Sequence, residues 1–226
     1  NIKNNEFQLL SFISSISKKT GGKNRRYKKR YYNKTKKAIK TKKVRKVCEP
    51  LLENSKIIDN SIAKKKLGFK KDDFVILFFG SIFFGKGLDI FLDAFNLIDK
   101  KGNKLLVSTL SKFLNFDLDL NRLKNKNIKF IDKFVDLEEK DIIFNASDLV
   151  VLPYRASYVN NSSGVLLTAI QYKKLVVAPN FYPFNRVIKE FQVGITSLDD
   201  KTMIAKPELY HRYLAEAIME VKKNYS

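Results

Sequence analysis

Cysteine and histidine are almost missing from this chain: 226 residues hold one of each, Cys48 and His211. A lone cysteine closes no internal disulfide and fits a reducing compartment, so the expected location is cytoplasmic. One histidine and one cysteine also argue against a His/Cys metal cluster and against Cys–His nucleophilic catalysis. No apolar run approaches the roughly 18 residues needed to cross a bilayer. Phe7, Leu9, Leu10, Phe12, Ile13 and Ile16 have helical spacing but too short a reach, and no cleavage signal follows them. An initiating methionine is missing too, so a processed product or a piece of a longer polypeptide is expected. Acidic residues are absent from one long stretch: Lys18–Lys46 carries 16 Lys/Arg and no Asp/Glu.

What is present is a globular composition, 44% hydrophobic and 12% aromatic. Beyond the basic stretch the charge nearly balances, with 27 basic and 22 acidic residues between positions 47 and 226. The chain therefore divides into a basic arm, residues 1–46, helical or without fixed structure, and a body, residues 47–226.

The body alternates strand-like and helix-like segments. "FVILFFG" (74–80) is a short apolar β-prone run of the kind covered on both faces. "LDIFLDAFNLIDK" (88–100) places Ile90, Phe91, Ala94, Phe95 and Ile98 at helical spacing, with Gly102 as its stop. Strands follow at "KLLVST" and "NIKFI", a helix at "LEEKDIIFNAS", and a strand at "DLVVLP". Then come a helix opening near Ser163, the strand "KLVVAP", a short helix around Asn185–Phe191, the strand "VGITS" and a last helix from about Pro207 to Lys223. "NSIAKKKLGF", closed by Gly68, is a helix ahead of them all. This order predicts an α/β fold with a doubly wound, mostly parallel Rossmann-like sheet and helices on both faces. Such sheets bind ligands beyond the carboxyl ends of their strands, which directs attention to 80–87, 153–163 and 179–184.

The first of these loops, "GSIFFGKG" (Gly80–Gly87), nearly matches a Walker A phosphate loop, but Gly87 stands where Ser or Thr should hold magnesium. In the second, "NNSSGVLLTAIQ" puts Ser163 and Gly164 at a helix start, where unpaired backbone N–H groups and the helix dipole favour phosphate.

Taken with the "LDIFLDAF" that follows it, the first loop resembles the start of the donor-binding, C-terminal domain of glycosyltransferase family 4 (group 1), retaining enzymes of the two-Rossmann-domain GT-B type. "NASDLVVLPYRASYVNNSSGVLLTAIQYKKLVVAPN" is similar to a second segment of that family, with Asp148, Pro153, Gly164, Ala169, Val176 and Val177 in register. The resemblance covers about residues 45–226. It implies that Lys86 contacts a donor diphosphate and that the N–H groups of Ser163, Gly164 and Val165 receive the same group. Charge stabilisation of a departing diphosphate needs no proton-transfer residue.

The chain departs from that pattern in several places. The family's loop arginine has no counterpart, since Ser81 or Phe83 stands there. Its two glutamates fall on Asn160 and Thr168, and a third acidic position falls on Arg186. Asn160 and Thr168 can hydrogen-bond sugar and ribose hydroxyls, each more weakly than an ionised acceptor; equally, they fit as a loop residue and a core-facing helix residue. Arg155 of "PYRASY" either faces a phosphate or acidic sugar or is a surface arginine. The expected donor-binding set is thus Gly80, Ser81, Lys86, Arg155, Asn160, Ser163, Gly164, Val165 and Thr168, with the catalytic residue open, no metal and no cofactor beyond the nucleotide-sugar substrate.

The function implied by the resemblance is sugar transfer from a nucleotide-diphosphate donor to a saccharide or lipid-linked acceptor, with a partner domain or chain supplying the acceptor site. The competing expectation is a degenerate, non-catalytic domain bound to nucleic acid or a larger assembly through its basic arm. Residues 18–46 suit an anionic membrane surface, giving peripheral membrane association. They equally suit nucleic acid, with Tyr27, Tyr31 and Tyr32 stacking on bases, or a solvated tail.

Overall fold

The structure is a computed structural model describing residues 55–225. The basic arm and the boundary proposed at residue 46 lie outside the described residues. Lys56–Val159 and Ser163–Ser226 form one compact unit, and Asn160–Ser162 fall outside it.

Six strands make one parallel sheet: β1 (Phe74–Phe79), β2 (Asn103–Thr109), β3 (Ile128–Asp132), β4 (Leu149–Val151), β5 (Leu175–Ala178) and β6 (Gly194–Thr196). They stand in the order β3-β2-β1-β4-β5-β6. Each coincides with a β-prone run seen in the sequence. The central strands are apolar throughout because both their faces are covered, and Val75, Ile76, Leu77, Leu105, Leu106, Val150 and Val177 are fully buried. Strand β3 lies at the edge and is only half-buried.

The helices are α1 (Asn60–Lys66), α2 (Leu88–Leu97), α3 (Leu137–Ala146), α4 (Gly164–Gln171), α5 (Phe184–Phe191), α6 (Asp200–Ala205) and α7 (Tyr210–Tyr225). Helix α2 packs with α7, and α1 with α3. Asp148 joins the second pair to the sheet: it takes an ion pair from the buried Lys64 at 2.8 Å and the Val75 N–H at 2.7 Å.

Two details differ from the expected pattern. Helix α6 was not expected; Asp199 starts it by accepting the Thr202 N–H at 3.0 Å, a cap three residues ahead of its donor. The last helix is preceded by a separate 3-10 turn, Pro207–Leu209, because Pro207 opens the turn without an N–H of its own.

The strand order reverses between β1 and β4, and crossovers diverge there. The loops after these two strands are the ones carrying the two phosphate-directed motifs.

Candidate functional site

After β1 the chain runs through Gly80 and the exposed Ser81 into a 3-10 turn, Phe84–Lys86, and ends on Gly87 with φ +67°. A side chain at Gly87 would put its Cβ 2.0 Å from the Pro153 carbonyl oxygen, so the β1 loop lies directly on the loop after β4. The Arg155 N–H donates to the Gly85 carbonyl at 3.0 Å and fastens the two loops again. Gly80, at φ +104°, would bring a Cβ to 3.3 Å from Val165, which sets the β1 loop beside the start of α4.

Lys86 turns inward from this junction and is 6% exposed. Its Nζ donates to the Tyr154 hydroxyl at 2.6 Å. Three aromatic rings surround it, with centroids 3.9 Å (Tyr154), 4.6 Å (Tyr158) and 5.8 Å (Phe83) away. Burial holds its pKa down to about 7 from an ordinary 10.5, and no charge contributes to that shift. Rings attract an ammonium through their faces, yet they cannot neutralise it. Lys86 has no counter-anion among the described residues.

The chain of hydroxyls continues to the helix start. Tyr154 Oη lies 3.0 Å from Ser163 Oγ, and Ser163 caps α4 by accepting the Leu166 N–H at 3.3 Å. The first intrahelical bond goes to Leu167. Among the described residues the N–H groups of Gly164 and Val165 have no partner, and a Cβ at Gly164 would meet nothing within 4 Å. The helix start is therefore an uncovered pair of donors, two hydrogen bonds away from the buried Lys86 amine.

The remaining expected residues take other places. Thr168 spends its hydroxyl on the Gly164 carbonyl at 2.9 Å, one turn back on its own helix. Asn160 is exposed with left-handed backbone, φ +64°, which Asn tolerates better than most residues. Arg155 forms a two-pronged ion pair with Asp89, at 3.0 and 2.5 Å, and lies 3.8 Å over the Phe84 ring. Arg155→Ala should lower stability by about 1 kcal/mol, since the pair is partly exposed and stacking adds to it. A urea titration that finds no loss would assign the pair no structural role.

Sequence reasoning missed Tyr154, Tyr158 and Asp89. The signal was present in "PYRASY", where two tyrosines four apart follow a buried strand, yet only its arginine was weighed. Phe184, at the end of the third expected loop, completes the wall 5.4 Å from Tyr154. Among the described residues no cluster of His, Cys, Asp or Glu could hold a metal ion, and no helix is long and apolar enough to cross a membrane.

The family described as glycosyl transferases group 1 matches residues 59–225. The fold is similar to that of sucrose-phosphate synthase from Thermosynechococcus elongatus, with a TM-score of 0.55 and 17% identity over 72% of this chain and 39% of that one. It is similar as well to WaaG, a glycosyltransferase involved in lipopolysaccharide biosynthesis, with a TM-score of 0.54 and 20% identity over 73% of this chain and 43% of that one. The chain thus spans less than half the length of either, and at such identities the likeness is one of fold. No curated protein matches the sequence.

Proposed function

The chain belongs to the group 1 glycosyl transferases, and from that premise we propose that it is the donor-binding half of a sugar transferase, taking a nucleotide-diphosphate sugar. One observation carries this reading: Lys86 and the open start of α4 come together at the topological switch, joined through Tyr154 and Ser163. A diphosphate between them would meet the Gly164 and Val165 N–H groups and an ammonium that has no other counter-anion among the described residues. As the sugar leaves, negative charge grows on the diphosphate, and these fixed donors stabilise it without proton transfer. Retained configuration and a saccharide or lipid-linked acceptor are part of the proposal, as is a second domain or partner chain bearing the acceptor.

A Walker-type alternative is disfavoured at Gly87. The hydroxyl such a loop needs for magnesium cannot be placed there, because any Cβ runs into Pro153. Binding should therefore proceed without magnesium. A second reading has its own observation: Thr168 is bonded within its helix and neither it nor Asn160 is a carboxylate. On that reading the domain holds a nucleotide and transfers nothing. For residues 18–46 we propose docking to anionic lipid, with sedimentation on anionic against neutral vesicles as the check and RNA as the competing ligand.

Calorimetric titration with UDP-, ADP- and GDP-sugars, without magnesium, tests the donor site. Lys86→Ala should weaken the productive ligand by about 1.5–3 kcal/mol, the scale of a charged hydrogen bond. Equal affinity in a folded variant removes Lys86 from the site. Binding without transfer, when an acceptor domain is supplied, favours the second reading.

A further inference from the structure

Tyr154 is held from four directions. Lys86 reaches its hydroxyl from the β1 loop and Ser163 from the start of α4, while Phe184 of α5 packs on its ring. The Tyr210 hydroxyl of α7 donates to its carbonyl at 3.2 Å. Its side chain is 1% exposed. Such a residue has little freedom to turn, so whatever its hydroxyl does is fixed by its two neighbours.

An ammonium only donates. While Lys86 is charged, the Tyr154 oxygen must accept from it, so the Tyr154 proton points to Ser163 Oγ. Ser163 Oγ then receives the Tyr154 hydroxyl and the Leu166 N–H together, and its own proton is left to donate elsewhere. A neutral amine can instead accept from Tyr154, which draws the Ser163 proton inward. The charge on Lys86 thus sets which way the Ser163 hydroxyl donates, through Tyr154.

We propose that Tyr154 is a positioning residue that couples Lys86 to the helix start, so that anion binding at this site takes up one proton from solvent onto Lys86. The proposal deepens the donor-site reading above and takes its anion from it. Binding turns a buried, weakly basic amine into an ion-paired ammonium and turns Ser163 into a third donor beside the Gly164 and Val165 N–H groups.

The groups in contact with Lys86 and Tyr154 supply no competing titration in the neutral range. Phe83 comes from the same loop, Tyr154 and Tyr158 from the segment after β4, Ser163 from α4, and Phe184 from α5. Burial raises both tyrosines above their ordinary value, so both stay neutral. Arg155 and Asp89 neutralise each other, and Arg186 pairs with Glu190 along the outer face of α5. Lys86, held down to about 7 by burial, is the group left to change charge.

The test uses the full chain, with Tyr154→Phe, which keeps the ring and removes the hydroxyl, and Lys86→Arg, which stays charged. The probes are nucleotide sugars such as UDP-glucose, whose diester phosphates do not titrate near neutrality, and inorganic sulfate. Wild-type affinity should fall by up to tenfold per pH unit above about pH 7, with proton uptake visible in buffers of different ionisation enthalpy. Lys86→Arg should be flat across that range. In Tyr154→Phe the break should move to lower pH, leaving affinity about tenfold weaker near neutrality and close to wild type at about pH 5.5. A merely structural role would lower the whole profile in parallel, and that result overturns the proposal.

In the free protein, the Lys86 side-chain carbon signal, assigned by its loss in Lys86→Arg, should titrate near neutrality. Titration at the ordinary lysine value also overturns the proposal, as does sulfate failing to bind at tens of millimolar. Sulfate bound with proton uptake, while every nucleotide sugar fails, would uphold the coupling and discard the donor assignment.

Discussion

Alanine at position 87 is expected to destabilise the fold by about 3 kcal/mol or more, and alanine at position 102 by only about 1 kcal/mol. Both glycines have left-handed backbone, φ +67° and +72°, which costs an L-residue about 1–2 kcal/mol. They differ in what lies ahead of them. Nothing stands within 4 Å of a Cβ at Gly102, whereas at Gly87 the Pro153 carbonyl oxygen would be 2.0 Å away. Backbone has no rotamer to escape into, so the loops after β1 and β4 would have to part, breaking the Arg155–Gly85 bond and unpacking Lys86. Urea midpoints for the two variants, measured side by side, decide the matter. Equal losses would mean that the loops are not pressed together as described.

Lys86→Met should raise stability at neutral pH by about 4 kcal/mol while removing anion affinity. Unfolded lysine keeps its proton up to an ordinary 10.5, but the buried side chain gives it up at about 7. Between those values the unfolded chain binds more protons than the folded one, so wild-type stability climbs with pH, by at most about 1.4 kcal/mol per unit. Above 10.5 both states are neutral and the penalty is gone; below 7 both are charged and it is complete. Methionine fills similar space with no charge to desolvate. The advantage of Lys86→Met over wild type should therefore be largest at and below neutrality and vanish near pH 10.5. A constant difference across that range would show that Lys86 is not desolvated.

The sheet was legible because its strands are covered on both faces. A run such as Phe74–Phe79, short, apolar and rich in β-prone residues, fits a strand covered on both faces, and the glycines between runs marked the turns. Helix α6 was harder, since a six-residue helix with polar first positions has little periodicity to show, and its Asp199 cap is a local signal inside a loop-like sequence. The helix start at Ser163 and Gly164 and the turn around Lys86 were also legible, because glycines and a capping serine mark where the backbone turns. What could not be read was the direction of the side chains. Lys86 looks like any lysine at a helix start until Tyr154 and Tyr158, some seventy residues later, are seen to enclose it. From the sequence Arg155 reads equally as a phosphate-facing or a surface arginine, and its pairing with Asp89 shows only in the fold. Both are pairings across the intervening strands β2, β3 and β4, and spacing along the chain carries no information about them.

The fastening of the β1 loop to the β4 loop, through Gly87 on Pro153 and Arg155 on Gly85, bears on the speed of recognition. Two loops locked to each other need not be ordered when a ligand arrives, so little conformational entropy is lost on that wall of the site. Encounter should then be limited by collision and orientation, with little difference in association rate between one nucleotide and another. Discrimination among nucleotides falls to how long each stays. A ligand series on this domain should therefore spread mainly in dissociation rate, and the residues that choose the base will be those that slow its departure.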